Sequence, residues 1–404
     1  MKIKNLISKK LQLIQPSSTL TITAKAKSLR SLGKDVITLS TGEPDFDTPN
    51  NIKQAAYNAI ERGKTKYTPV DGIPLLKEAI INKFKKENHI NYTMDEITVG
   101  CGAKHVIYNI ISTMINPNDE VIIPAPYWVS YPDMVLVNGG KPIIIQTSEV
   151  SQFKLTSSML HKSITSKTKL IVINSPNNPT GFCYSKKELE GLEQILNDYP
   201  NIYIISDDIY EHVRYQNSQF FNIANISNSI KQRTFVVNGV SKAYSMTGWR
   251  IGYAGGNKDL IKAIATIQSQ STSNPCSISQ YAAVEALSEN SSQFIENNKK
   301  LFKTRCNLVI NKLEQINGIK VNITDGTFYV FPSCEEIIGR KTPEGKIIKN
   351  SSDFAQYLLD YALVAVVPGI AFGIENFFRI SYAVTTGTLI EACNRIKIAC
   401  EKLS

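Results

Sequence analysis

From about residue 95 to residue 256 the chain alternates short runs of Val, Ile and Leu with longer stretches whose apolar residues recur at helical spacing. The apolar runs fall at 120–124, 141–145, 170–173, 202–205, 235–237 and 250–253, and residues 186–196 are one of the helical stretches between them. Runs without polar alternation read as strands buried on both faces. Their alternation with helices predicts an α/β fold with a doubly wound, mostly parallel sheet. Ligands of such sheets gather beyond the carboxyl ends of the strands. Three runs release polar side chains at that place: Asn178 after 170–173, Asp207 and Tyr210 after 202–205, and Ser241 and Lys242 after 235–237. One shared site is the expectation.

The chain ends carry a different pattern. Runs 328–331 and 378–381 read as strands, and 389–400 as a terminal amphipathic helix. Residues 338–352, with Lys, Gly, Pro and Asn, read as a surface loop. A smaller α+β domain made from both ends is expected. The expected division is 1–50 for an N-terminal arm and part of the small domain, 51–300 for the ligand-binding large domain, and 301–404 for the small C-terminal domain.

At 404 residues and 42% hydrophobic content, the chain is long enough for two domains with a sizeable core. No apolar run approaches the roughly 18 residues that cross a bilayer, so no membrane association is expected. Seven cysteines without a CxxC pair argue against a disulfide framework and a zinc site, and none of the four histidines has metal-ligand spacing. No metal is expected, and a reducing cytoplasm fits best. Cys393 and Cys400 share helical spacing with Leu389 and Ile396 and read as core thiols. The net charge of +10 invites a nucleic-acid reading, but much of the excess sits in residues 1–34, which hold seven lysines and Arg30 and no acid. Transit peptides are rich in Arg and Ser, whereas residues 1–15 have no Arg and one Ser. The preferred reading is a solvated arm that packs on a partner subunit, with no nucleic acid bound.

The candidate chemistry centres on residues 241–250, Ser-Lys-Ala-Tyr-Ser-Met-Thr-Gly-Trp-Arg. An isolated lysine is usually a solvated surface charge. Lys242, however, follows an apolar strand, and burial there disfavours the ammonium form. The free amine is then a nucleophile that can form a Schiff base with a carbonyl. Ser241 and Arg250 suit a phosphate monoester, and the three residues together suit pyridoxal 5′-phosphate (PLP). Residues 100–104, Gly-Cys-Gly-Ala-Lys, open a predicted helix whose N-terminal amides also suit phosphate, with Gly102 and Ala103 permitting close approach. His105 stands where a dinucleotide fingerprint needs Gly or Ala, which excludes that reading.

This stretch resembles the PLP-lysine signature of the class I aminotransferases (fold-type I). The resemblance covers nearly the whole chain from about Pro16. It extends to Ser-Thr-Gly-Glu-Pro-Asp-Phe at 40–46, Pro-Tyr-Trp-Val-Ser at 126–130, Asn-Ser-Pro-Asn-Asn-Pro-Thr-Gly at 174–181, Ser-Asp-Asp-Ile-Tyr at 206–210 and Phe-Arg-Ile-Ser-Tyr at 378–382. It implies a PLP enzyme in which Lys242 bonds the cofactor covalently and acts as catalytic base. Ser241, Arg250 and the Gly102–Ala103–Lys104 turn would hold the phosphate. Asp207 would keep the ring nitrogen protonated, Asn178 and Tyr210 would hydrogen-bond the phenolic oxygen, and Trp128 would stack on the ring. In an extended segment Asp208 would face the opposite way. The resemblance also implies a homodimer in which Tyr67 reaches the phosphate of the neighbouring site. On the substrate side, Arg379 would grip the α-carboxylate through a bidentate fork. Gly42 would supply a backbone contact, and Trp128, Asn178 and Lys104 would complete the pocket. Where the family often has Gly-Gly-Lys-Gln, this chain has Gly102-Ala103-Lys104-His105, which leaves substrate contact by Lys104 open.

The function implied is transfer of an amino group between small amino acids and keto acids by a ping-pong route, with L-aspartate and 2-oxoglutarate as the expected pair. A dicarboxylate needs a second cation besides Arg379. Lys104 is the candidate, with Ser17, Ser18 and Thr19 of the arm nearby. The alternatives are dual aspartate/prephenate specificity or a PLP-dependent carbon–sulfur lyase. A transcription regulator with an aminotransferase-like domain is disfavoured, because the segment before Gly42 is too short for an added winged helix.

Overall fold

The computed structural model describes residues 7–14, 18–215 and 220–404. After a short strand, β1 (Ile37–Thr38), come the seven strands of the main sheet. They are β2 (Ile97–Gly100), β3 (Glu120–Ala125), β4 (Lys141–Gln146), β5 (Thr168–Asn174), β6 (Tyr203–Asp207), β7 (Thr234–Gly239) and β8 (Gly252–Gly255). Their order is β2-β8-β7-β6-β5-β3-β4. Strands β3 to β7 pair in parallel, whereas β8 runs antiparallel to both β7 and β2. The mostly parallel α/β sheet expected from the apolar runs is present. Strand β2 was not among those runs, because Ile-Thr-Val-Gly is too short an apolar signal.

The unbroken apolar runs have a direct cause in packing. Leu170, Val172 and Ile205 face one core, with Ile107 and Ile110 of the helix Ala103–Met114. Ile171, Ile173 and Ile204 face the other, with Leu189 and Leu192 of the helix Lys186–Leu196. Successive side chains of a strand point to opposite faces, so a sheet covered on both faces needs apolar residues at every position. That helix begins at a reciprocal Ser185–Glu188 capping box.

The other core joins both chain ends. Leu39, Phe302, Phe328, Val364, Ile380, Leu389 and Ile396 belong to one buried cluster. Here β1 pairs with β10 (Val364–Ala365), and β12 (Phe378–Ser381) lies between β11 (Val367–Pro368) and β9 (Tyr329–Val330). The terminal helix, Thr386–Glu401, buries Leu389, Cys393, Ile396 and Cys400 on one face. The helix Ser292–Leu313 runs through position 300: its Ile295 packs on the large core and its Phe302 on the small one.

Within the basic N-terminal segment, residues Ser18–Ser31 form a helix that packs on the chain's own small core. Ala26 is buried with Val36, Leu359 and Ala365, and Ile22 and Leu29 pack against them. The apolar residues at 22, 26 and 29 keep helical spacing, but intervening Thr, Ser and Lys dilute the signal. Ser17 lies outside the described residues, as do the side chains of Ser18 and Thr19.

Candidate active site

Strand ends converge on a cavity of about 300 Å³. It is lined by Ala103 and Lys104 beyond β2, Trp128 beyond β3, Asn178 beyond β5, Asp207 and Tyr210 at the end of β6, and Ser241 and Lys242 beyond β7. Arg250 precedes β8, while Gly42 and Arg379 come from the small-domain side of the chain. Gly102 and Tyr67 are the sequence-identified residues that do not line it. Gly102 caps the helix Ala103–Met114 with φ 88°, and a side chain there would overlap the Arg250 guanidinium. Tyr67 is 93% exposed on the surface of the chain.

The Lys242 amine donates to the Gly42 carbonyl oxygen at 2.7 Å. Burial lowers its pKa to about 8, and the Arg250 and Arg379 charges push the same way against Glu43 and Asp207. Asp207 shows the mirror effect: burial raises its carboxyl to about 6, opposed by hydrogen bonds and by Lys242. Tyr131 donates to Asp207 Oδ2 at 2.6 Å, and the Ile209 amide donates to Oδ1 at 3.3 Å. Asp208 points away, as alternation along a strand requires, and takes hydrogen bonds from Ser206 and Asn222.

Arg379 is buried. Its Nη1 donates to Asn178 Oδ1 at 2.9 Å and its Nη2 to the Ser40 carbonyl at 2.7 Å. Its Nε is buried with no hydrogen-bond partner. The guanidinium carbon lies 4.2 Å from the Tyr329 ring centre and 5.1 Å from that of Phe372. Asn178 is held from the other side, its backbone N–H donating to Asn174 Oδ1, and the Asn178–Pro179 peptide is cis.

At the opposite end, Arg250 holds the turn around itself through the carbonyls of Thr247 and Cys101. A side chain on Gly252 would overlap the Ala103 amide, so glycine there lets β8 lie against the helix start. Lys104 places its amine 4.9 Å from the Trp128 ring centre. Burial, then the Arg250 charge, lower the Lys104 pKa, against the pull of Asp133. The geometry therefore has two cationic ends, with an amine and a carboxylate between them.

The sequence reading missed three contributors: Tyr131, Tyr329 and the Ser40 carbonyl. The first two look like core aromatics from sequence, and a backbone acceptor leaves no residue-type signal. Away from the cavity, Glu87, Glu211 and His212 bring ligand atoms within 4.8 Å of one another. The Lys83 amine sits among them, paired with both carboxylates.

A family model described as aminotransferase class I and II matches residues 34–396. The chain is 53% identical over 399 residues to a probable aspartate/prephenate aminotransferase of Rickettsia typhi, covering 99% of this chain and 100% of that one. Identity is 50% over 398 residues to an aspartate/prephenate aminotransferase of Cereibacter sphaeroides, covering 98% and 99%. Among solved structures, an aspartate aminotransferase of Rhizobium meliloti superposes with a TM-score of 0.96 at 48% identity, over 98% of this chain and 99% of that one. An aspartate aminotransferase of Thermus thermophilus with maleate gives 0.91 at 39%, over 97% and 99%.

Proposed function

The chain belongs to the class I and II aminotransferases, a PLP-dependent family, and from that premise we propose that it exchanges an amino group between L-aspartate and 2-oxoglutarate. The products are oxaloacetate and L-glutamate, formed at one site in two alternating half-reactions. The observation that carries this reading is the meeting of Lys242, Asp207 and Arg379 in one cavity, with the Lys242 pKa lowered to about 8.

The residues fit the cofactor. The Gly252 cradle leaves the first amides of the helix Ala103–Met114 open beside Arg250 and Ser241, an arrangement suited to a phosphate. The unpartnered Arg379 Nε awaits an acceptor. Ser241, Arg250 and the backbone amides of Ala103 and Lys104 would hold the phosphate, Asp207 the ring nitrogen, Asn178 and Tyr210 the phenolic oxygen, and Trp128 one ring face. When bound, PLP supplies an electron sink for the substrate α-carbon.

The chain's own groups do the rest. Lys242 Nζ, neutral in a useful fraction near neutral pH, removes the α-proton as general base. Gly42 holds that amine through its carbonyl oxygen. Arg379 fixes the α-carboxylate, aligned by Asn178 and Ser40. Lys104 answers the distal carboxylate at the other end. Burial of Asp207 and Arg379 in the cavity wall strengthens their charge interactions.

The working unit is a homodimer. The segment from residue 57 to 75 exposes Tyr57, Ile60, Tyr67 and Leu75, an apolar surface suited to a second copy, and Tyr67 would reach the neighbouring phosphate. Residues 51–300 are assigned to the PLP-binding domain and 301–404, with the Ser18–Ser31 helix and β1, to the small one, the helix Ser292–Leu313 bridging the two. All seven cysteines are free, which suits a reducing cytoplasm.

The test is a pair of measurements on protein purified with PLP. Borohydride should tag the tryptic peptide containing Lys242, and aspartate with 2-oxoglutarate should yield oxaloacetate. An untagged peptide overturns the cofactor assignment, and a tagged but inactive protein overturns the substrate assignment. A second reading adds prephenate as an amino acceptor. Relatives of 50–53% identity carry that name, and a recess lined by Ile14, Tyr108, Met134 and Val137 opens beside Lys104. Turnover of prephenate with aspartate decides it.

A further inference from the structure

Tyr329 touches both halves of the cavity, although nothing in its sequence context marks it. It lies in β9 with 1% of its surface exposed. Its backbone pairs with Ser381 in β12, the strand that carries Arg379. Its hydroxyl is 2.9 Å from that of Tyr210, and its ring face lies under the Arg379 guanidinium at 4.2 Å. The hydroxyl also abuts Gly42, where any side chain would overlap it. Gly42 in turn holds the Lys242 amine. The ring packs against Phe328 at 4.8 Å, so Tyr329 has little room to turn.

Two phenols sharing one hydrogen bond have one proton left over. If Tyr210 donates to Tyr329, that spare proton sits on Tyr329. If Tyr329 donates, Tyr210 keeps its own proton for the cavity. The charge over the ring decides between them. Burial raises the pKa of both phenols, but the Arg379 guanidinium in contact with Tyr329 counters that rise there most directly. Tyr329 is thus the better donor.

We propose that Tyr329 is a positioning residue for both ends of the site: its hydroxyl donates to Tyr210, leaving the Tyr210 proton to the cavity, and its ring holds the Arg379 guanidinium facing the substrate carboxylate. This rests on the reading of the cavity as a PLP and amino-acid site. The two roles reside on different parts of one side chain and can be separated.

The experiment compares holoenzyme carrying Tyr329→Phe or Tyr329→Leu with the parent. It follows the pH titration of the bound-PLP absorbance, the PLP dissociation constant, and KM and kcat for aspartate. Tyr329→Phe keeps the ring and removes the donor. Its titration midpoint should move upward by roughly a few tenths of a unit, because Tyr210 keeps its own bond to the cofactor and loses only the polarisation that the Tyr329 donor adds, while KM for aspartate stays within about twofold. Tyr329→Leu should show that shift and also raise KM by roughly threefold to thirtyfold, as the loss of a desolvated cation–π contact predicts. An unmoved midpoint in Tyr329→Phe overturns the hydroxyl role, and an unchanged KM in Tyr329→Leu overturns the ring role. If Tyr329→Leu does not fold, Tyr329→Met supplies the same comparison. A parent protein that binds no PLP would instead overturn the underlying reading, which separates the two failures.

Discussion

Tyr131 donates its phenolic proton to Asp207 across 2.6 Å, with both residues buried. The pair joins the first turn of the helix Ser130–Val137 to the end of β6. Burial raises the Asp207 pKa to about 6, and the Tyr131 hydrogen bond is the largest influence restraining that rise. Removing a donor to a carboxylate favours its protonated form. Tyr131→Phe should therefore raise the Asp207 pKa by roughly one to two units, since hydrogen bonds to charged groups contribute about 1.5–3 kcal/mol. At neutral pH the carboxyl would then be largely protonated and a poor partner for a protonated ring nitrogen. The expected result is weaker PLP binding by the apoprotein below about pH 8, read from the PLP dissociation constant across pH. An unchanged pH dependence of that constant would mean that Asp207 owes its charge to other neighbours.

Lys242 makes stability of the cofactor-free protein depend on pH. Its pKa is about 8 in the folded state against 10.5 as an ordinary lysine, lowered chiefly by burial. Between those values the unfolded chain holds a proton that the folded chain lacks, so stability rises with pH across that window. Below about pH 8 both states are protonated and the folded state carries the full penalty. Apo Lys242→Met should thus be more stable than the parent at pH 7 by up to about 3 kcal/mol, less where water enters the pocket. The advantage should shrink as pH climbs towards 10.5. Urea unfolding of both apoproteins at several pH values checks the sign: a constant difference would mean that Lys242 is not held against its charge.

Arg379 is fixed by two acceptors, the Asn178 side chain and the Ser40 carbonyl, with Nε left over. Arg379→Ala strands both acceptors and any bound carboxylate. It should lower kcat/KM for aspartate by roughly 3–5 kcal/mol, the usual range for breaking a buried ion pair. Arg379→Lys should recover only part of this, because a point charge cannot span the planar fork. PLP occupancy, read from absorbance, should survive both changes. Wild-type kinetics in Arg379→Ala would remove this arginine from the substrate site.

Lys242, Asp207 and Arg379 are legible in sequence because each stands at or just beyond an apolar run, or in a strand motif of a known family. Tyr131 and Tyr329 are not. Tyr131 sits three residues after Trp128, in a first helical turn where an aromatic reads as core, and it does pack edge-on to Trp128 at 5.3 Å. Tyr329 lies inside Phe-Tyr-Val-Phe, and its partner Tyr210 is 119 residues away. Only the tertiary fold creates that contact. The same reasoning covers the helix Ser18–Ser31 and strand β2, whose local signals are weak and whose stability comes from what they pack on.

Tyr67 is 93% exposed on the single chain, so nothing within its own chain accounts for its place. If it completes the neighbouring phosphate site, subunits should complement each other. Tyr67→Phe chains keep Lys242, and Lys242→Met chains keep Tyr67. Mixed dimers would contain one site with both residues intact, so refolding the two variants together should restore PLP affinity and turnover beyond the sum of the separate preparations. Activity equal to that sum would place Tyr67 outside the partner's site.

Lys104 has two possible duties, and they predict different losses. Its amine lies over the Trp128 ring at 4.9 Å, near enough to Arg250 for the two charges to repel. As a phosphate ligand, it would serve every substrate equally. As the reader of a distal carboxylate, it would matter for aspartate and be irrelevant to alanine. With Arg250, Ser241 and the start of the helix Ala103–Met114 already available to the phosphate, the Lys104 charge is left for the distal carboxylate. Lys104→Met keeps most of the apolar stem and deletes the charge. It should lower kcat/KM for aspartate by roughly 1.5–3 kcal/mol, the range for a hydrogen bond to a charged group, while alanine changes by less than about 0.5 kcal/mol. Equal losses for both amino acids, accompanied by a weaker PLP dissociation constant, would instead assign Lys104 to the phosphate.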